Sequence, residues 1–137
     1  MQWDETENAG FTSGTPWITV NPNHTEINTR AEIADDDSVF HHYRRLIELR
    51  RTEPTVAHGD FRMLLSDHDQ VYAFTRRYNT TELLVLANFS GEPATIEVPD
   101  ADRWRGTELV LANVPEPDEL ETRLTLRPWE ARIHRHG

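Results

Sequence analysis

A chain of 137 residues with 36% hydrophobic and 28% charged side chains is one ordinary domain by length and too polar for a membrane-embedded fold, and its length disfavours two full domains. Cysteine is absent, which removes disulfides, thiolate metal sites, iron–sulfur ligation and any Cys nucleophile together. The 24 acidic residues outweigh 14 basic ones to give a net charge of −10, so duplex nucleic acid is repelled overall, and no run approaches the ~20 apolar residues of a membrane-spanning helix.

Residues Met1 to Asp36 are polar and turn-rich, carrying Asn8-Ala9-Gly10, Ser13-Gly14, Thr15-Pro16 and Asn21-Pro22-Asn23. This reads as a long ordered loop, and a loop of that length inside a compact domain is commonly functional or part of something larger. Asp35-Asp36-Asp37-Ser38 then offers carboxylates and a hydroxyl to the free N–H groups of a helix start. Val39, Phe40, Tyr43, Leu46, Ile47 and Leu49 recur at helical spacing, Arg50 and Arg51 suit the C-terminal end, and Pro54 stops the helix near Thr52.

From Thr55 onward the period is that of strands. Seven runs are expected, Phe61 to Leu65, Gln70 to Arg76, Glu82 to Phe89, Ala94 to Val98, Thr107 to Ala112, Thr122 to Leu126 and Trp129 to Arg135, parted by Asn-, Asp-, Gly- and Pro-bearing turns. Leu83 to Ala87 is continuously apolar, as for a central strand covered on both faces. By contrast, Trp129, Ala131 and Ile133 alternate with Glu130, Arg132 and His134, as on a half-solvated strand with its polar side outward. The expected fold is mainly β with one long helix: a small antiparallel β-sandwich or open barrel, with the irregular N-terminal arm packed beside it.

Several clusters have two readings. Asp4, Glu5 and Glu7, then Asp35 to Asp37, then Glu116, Asp118, Glu119 and Glu121 pair carboxylates as acid–base chemistry or a hard cation requires. The second cluster is better explained as a helix cap and the third as a solvated loop. His41 and His42 are adjacent on a helix and diverge by ~100°, so they do not chelate. His134 and His136 share one face of a strand, as a weak metal site or as a frayed, exposed C-terminus. No serine sits in a nucleophile elbow and no glycine-rich phosphate loop occurs. Gln2-Trp3-Asp4 sets an indole beside an amide and a carboxylate, a vocabulary for stacking on and hydrogen-bonding a sugar ring, or simply a packing anchor.

Met1-Gln2-Trp3-Asp4, Asn8-Ala9-Gly10-Phe11-Thr12, Thr15-Pro16-Trp17-Ile18, Val20-Asn21-Pro22-Asn23 and Ile27-Asn28 resemble the last barrel loop of α-amylase-superfamily α-glucosidases. The likeness continues through Asp35 to Arg50, Gly59-Asp60-Phe61, Leu86 to Ser90 and Leu126 to Arg132, and is nearest to oligo-1,6-glucosidases, with trehalose synthases and sucrose isomerases as relatives. The resemblance implies that 1–54 is the loop and final helix of a truncated (β/α)8 barrel, and 55–137 the antiparallel β-sandwich that follows it. In relatives Arg-Thr-Pro precedes the Met-Gln-Trp-Asp run, and Glu5 and Glu7 stand where Asp and Pro are frequent.

The family's activity is retaining hydrolysis of α-glucosidic bonds by two carboxylates ~5 Å apart. In relatives the nucleophile, the acid/base and a third Asp come from earlier barrel strands, so no catalytic residue is assigned here, and no metal or other cofactor is expected. Gln2, Trp3 and Asp4 match a loop bordering the substrate pocket. The partners implied are the missing catalytic barrel, or self-association through the apolar helix face, with oligosaccharide bound only by the intact enzyme, in the cytoplasm, and with no nucleic acid or membrane partner. The alternatives are a free-standing carbohydrate-binding module presenting Trp17 or Trp104, and a homo-oligomeric interaction protein.

Overall fold

The computed structural model describes all 137 residues, which divide into two compact units, Met1–Glu48 and Leu49–Gly137. In the first unit a 3-10 turn at Pro22–Thr25 precedes α1 (Thr29–Ala34), and α2 (Val39–Thr52) begins there and continues into the second. The second unit adds α3 (Pro54–His58), α4 (Ala101–Trp104) and seven strands: β1 (Asp60–Leu64), β2 (Val71–Tyr78), β3 (Thr81–Asn88), β4 (Ala94–Glu97), β5 (Glu108–Ala112), β6 (Arg123–Leu126) and β7 (Ala131–His136). Each strand falls on one of the seven expected runs.

The expected single long helix is corrected. The longest helix, α2, has 14 residues, and three further α-helices of six residues or fewer accompany it. These short helices were invisible to periodicity, because one turn or two carries no repeat, and their starts are set by single residues. Asn28 caps α1 by accepting from the Ala31 N–H, so the N-terminal arm is not wholly a loop. Pro54, which ends α2, also suits the first position of α3, where the Glu53 carboxylate accepts from the Thr55 N–H.

The α2 cap is Ser38, whose buried hydroxyl accepts from the His41 N–H and donates to the Glu32 carbonyl, while the Glu32 carboxylate takes the Phe40 N–H. Asp36 and Asp37 stay exposed, and Asp35 instead shapes the preceding turn by accepting from Asp37.

All strand pairs are antiparallel, in a five-stranded sheet ordered β1-β2-β3-β7-β5 and a two-stranded sheet of β4 and β6. Leu64, Val71, Ala73, Leu84 and Leu86 from the first sheet and Ala94, Ile96, Leu124 and Leu126 from the second form one buried cluster, closed by Trp104 and Leu120. β3 is the central strand. Its core-facing positions are fully buried, whereas on the other face Leu83 is buried and Val85 and Ala87 are partly covered. That other face carries an aromatic row, with ring centroids 5.2 Å apart for Phe61–Phe74 and for Tyr72–Phe74, and with Phe61 and Tyr72 left exposed.

The orientation of β7 is the reverse of the expected one. Its register pairs Leu86 with Arg132 and Leu84 with His134, so these polar residues share the core face. Glu130 and Arg132 are 0% and 1% exposed, while Trp129 is largely exposed. Apolar alternation misassigned the faces because it shows that neighbours face opposite ways but not which side is inward, and here the Glu130–Arg132 ion pair lets the polar side lie on the core while Ala131 and Ile133 stay partly exposed.

Glu130 and Arg132 form a buried ion pair, and further bonds complete it. The Glu130 carboxylate accepts from the Arg127 N–H at 2.7 Å, and the Arg132 guanidinium donates to the Asp118 carbonyl at 2.6 Å. Removing one partner strands the other charge in the core, at a cost of ~3–5 kcal/mol. Urea unfolding followed by Trp fluorescence is expected to show such a loss for Glu130→Ala, and a markedly smaller one for the double replacement Glu130→Leu with Arg132→Met.

Candidate functional site

The residues singled out by sequence lie in the first unit, on a segment built almost entirely from polar bonds. The first N–H groups of α1 have no intrahelical partners, and the Gln2 and Trp3 carbonyls supply them: Thr29 donates to Gln2 at 2.8 Å and Arg30 to Trp3 at 3.1 Å. The Thr29 hydroxyl adds a bond to the same Gln2 carbonyl, and the Gln2 side-chain amide donates to Asn23 Oδ1 at 2.9 Å. Buried Asn28 completes the frame by capping α1 and donating to the His24 carbonyl.

Asp4 receives the Thr6 N–H and hydroxyl and pairs with Arg30, which also reaches Glu5. The bonds from Thr6, with the Arg30 charge beside them, hold the Asp4 carboxyl below its ordinary range. A carboxylate so engaged is a fixed acceptor, not a poised base. The structure therefore brings Gln2, Trp3 and Asp4 together with their backbone fixed and the Trp3 indole 57% exposed.

Beside them lies a hollow of about 760 Å³ lined by Met1, Gln2, Phe11, Trp17, Ile18 and Val20, with Trp17 94% exposed. Periodicity gave no sign of the contribution of Phe11 and Ile18, because irregular backbone has no period; both stand only in the motifs of the family likeness. The hollow offers apolar faces and the Gln2 amide, which suit a hydroxylated ring, while Trp3 and Asp4 do not line it. Gly10 permits the turn that seats Trp3: its φ is +72°, and a Cβ there would stand 2.9 Å from the Trp3 Cβ.

The other candidates are dispersed. His41 bonds the Ile33 carbonyl at 3.0 Å, and His42 is partly buried, which with the Arg45 charge lowers its proton affinity. The side chains of Glu116, Asp118, Glu119 and Glu121 sit on an exposed loop that arginines hold by its carbonyls, Arg127 through Pro115 and Glu116 and Arg132 through Asp118. Trp104 is corrected as a stacking platform, being 2% exposed within the core cluster.

The frayed terminus proposed for His134 and His136 is likewise corrected. β7 is paired on both sides, and His134 is 5% exposed with neither ring nitrogen bonded. Burial, aided by the neighbouring Arg132 charge, brings His134 down from 6.5 to about 4.

Two family models together span most of the chain. Alpha amylase, catalytic domain, matches residues 1–59, and maltogenic amylase, C-terminal domain, matches residues 61–133. The oligo-1,6-glucosidase of Parageobacillus thermoglucosidasius is 44% identical over 98% of this chain and 24% of its own length. The trehalose-6-phosphate hydrolase of Bacillus subtilis is 40% identical, again over 98% of this chain and 24% of its own. The crystal structure of Bacillus licheniformis trehalose-6-phosphate hydrolase superposes with a TM-score of 0.90 at 36% identity, covering 98% of this chain and 24% of that one. The chain thus spans about a quarter of the length of the curated relatives it matches.

Two outcomes follow from this geometry. Because the neutral His134 is favoured in the native state, its contribution is full above pH 6.5 and is lost as pH falls toward 4. At ~1.4 kcal/mol per tenfold change in proton affinity the ceiling is about 3 kcal/mol, and solvent screening leaves about 1–2 kcal/mol. Urea midpoints of wild type and His134→Leu should therefore diverge across that window, the wild type losing more. Gly10→Ala, at ~1–2 kcal/mol of left-handed backbone strain plus the Trp3 clash, should speed proteolytic cleavage within residues 1–20 and leave cleavage of the β unit unchanged.

Proposed function

Since the chain belongs to the α-amylase family of glycoside hydrolases, we propose that it supplies the last barrel loop, the final barrel helix and the C-terminal β-domain of an α-glucosidase of the oligo-1,6-glucosidase type. In this reading 1–54 completes the wall of a (β/α)8 barrel and 55–137 is the β-sandwich that covers and stabilises it. Gln2, Trp3 and Asp4 border the substrate pocket at the barrel's C-terminal face.

The observation that supports the reading is the change of family model between residues 59 and 61, from the catalytic domain to the C-terminal domain, on a fold that superposes on a trehalose-6-phosphate hydrolase with a TM-score of 0.90. The exposed apolar residues of α2, Val39, Tyr43 and Ile47, support a catalytic barrel as the partner, since a helix that buries no residue of its own does not repay its ordering. A cytoplasmic site of action goes with this reading. No helix of the chain is long and apolar enough to cross a membrane.

Bond cleavage is assigned to carboxylates outside these 137 residues. Retaining glycosidases need one ionised and one protonated carboxyl ~5 Å apart across the sugar. Here the enclosed carboxylates are committed to cations or backbone: Asp4 to Arg30, Glu53 to Thr55 and Arg135, Glu82 to Arg103, and Glu130 to Arg132. The purified chain is expected to leave 4-nitrophenyl α-glucoside and isomaltose intact. Co-expressed with the part of the P. thermoglucosidasius relative that precedes the matched region, it is expected to support hydrolysis. Hydrolysis by the chain alone that tracks with it through purification overturns the assignment.

A further inference from the structure

The five-stranded sheet turns one face to the core, and its outer face is apolar from strand to strand. Strand pairing puts Phe61 and Met63 of β1, Tyr72 and Phe74 of β2, Val85 of β3 and Ile133 of β7 on that side. Phe61, Met63 and Tyr72 are 50%, 42% and 40% exposed, and the row of rings runs on from Tyr72 to the exposed Phe89. The charged residues of this face are already engaged: Arg76 donates to the Thr55 and Gly59 carbonyls, and Arg135 pairs with Glu53 and Glu108. In a chain with 28% charged residues, a wide face without an uncommitted charge suits an apolar partner surface better than solvent or a charged ligand.

One end of the face is covered, and its cover indicates what occupies the rest. α3 lies against β2 and β3, and Leu83, on the outer side of β3, is 1% exposed. The Arg76 guanidinium holds α3 through the Thr55 carbonyl at 3.2 Å and the Gly59 carbonyl at 2.7 Å. Gly59 sits so close to β2 that a Cβ there would stand 3.1 Å from the Arg77 nitrogen. These residues belong to the catalytic-domain match, which ends at 59, and the strands to the C-terminal-domain match, which begins at 61. The junction between the two is thus a seat bonded to the sheet and not a free linker. The exposed row continues from that seat. This chain spans 24% of the P. thermoglucosidasius relative, so most of that enzyme's catalytic domain has no counterpart here to cover it.

A glycan and a second copy of the chain fit less well. Successive rings of the row are inclined by 37°, 53° and 75°, which leaves no common plane for a line of pyranose rings. Two copies would each bring a net charge of −10 to the contact.

We propose that the outer face of the five-stranded sheet is the docking surface for a catalytic barrel, with α3, held by Arg76, as its fixed edge. The occupant is an uncharged patch of aliphatic side chains on the barrel's outer ring of helices, packed against Phe61, Met63 and Tyr72. This inference rests on the reading of the chain as part of an α-glucosidase, and adds which surface bears the contact and how the junction sets its position.

Hydroxyl-radical footprinting read by mass spectrometry tests it, on the full chain alone and on the full chain fused behind the preceding part of the P. thermoglucosidasius relative. In the chain alone Phe61, Met63 and Tyr72 are expected to react at rates unaffected by maltose or by chain concentration. In the fusion those rates are expected to fall several-fold. Phe61→Gln with Tyr72→Gln is expected to shift the Tm of the chain alone by less than about 5 °C, since both rings are half-exposed. In the fusion it is expected to shorten several-fold the half-life of 4-nitrophenyl α-glucoside hydrolysis on heating. Thr125→Glu, exposed on the two-stranded sheet, is expected to leave that half-life unchanged. Undiminished reaction of the three residues in a fusion that hydrolyses the glucoside, or a half-life no shorter in the double variant, overturns the docking surface and leaves the functional reading standing. A fusion without hydrolysis overturns both. Protection of the row in the chain alone by maltose, or at rising chain concentration, or a larger fall in Tm, overturns the proposal in favour of a glycan, a second copy or the unit's own core, respectively.

Discussion

The β unit closes around a charge that has no business in a core unless its neighbours satisfy it. Burying a carboxylate and a guanidinium costs several kcal/mol each, which only good geometry and additional hydrogen bonds offset. Glu130 and Arg132 meet that condition by recruiting the Arg127 N–H and the Asp118 carbonyl, and so they tie β7 to the long connection between β5 and β6. Arg127 extends the same tie through the Pro115 and Glu116 carbonyls. Buried Asn88 reaches across from β3 to the Arg127 carbonyl and to that of Glu92, beside the start of β4. The apolar cluster of Leu84, Leu86, Leu124 and Leu126 supplies most of the driving force. The polar set decides how the strands approach it.

In the first unit the balance between these two kinds of interaction is inverted. Ala9 is its one fully buried apolar residue, and order comes from side chains that replace missing backbone partners, Asn28 for α1, Ser38 for α2 and Asp4 for the turn at Thr6. Segments held in this way have shallow local stability, yet the carbonyls of Gln2 and Trp3 are fixed by the first turn of α1. A pocket border needs such fixing, since its side chains act only if their backbone does not drift.

Both units leave apolar surface uncovered: the α2 face at Val39, Tyr43 and Ile47, and the aromatic row that ends at Phe61 and Tyr72. Such surface is unusual on a monomer of this size. A length close to a quarter of that of its relatives gives the exposure a physical reason in the functional reading proposed above. The apolar spacing of α2 was legible in the sequence and correct, but periodicity reports that a face is apolar and not what lies against it.

The amino-acid order by itself determined the seven strands, the extent of α2 and its stop before Pro54, because alternation, helical spacing and turn residues are local signals read within a few residues. The family likeness was equally legible, in motifs from Met1-Gln2-Trp3-Asp4 to Leu126-Arg127-Pro128-Trp129. Tertiary structure alone decided which face of β7 is inside, that Trp104 is core and not platform, and that His134 is enclosed and not frayed. Strand period fixes that neighbours face opposite ways but not which way is inward. That choice followed from the flanking strands β3 and β5 and the Asp118 carbonyl that the fold gave β7, and those lie at a distance along the chain.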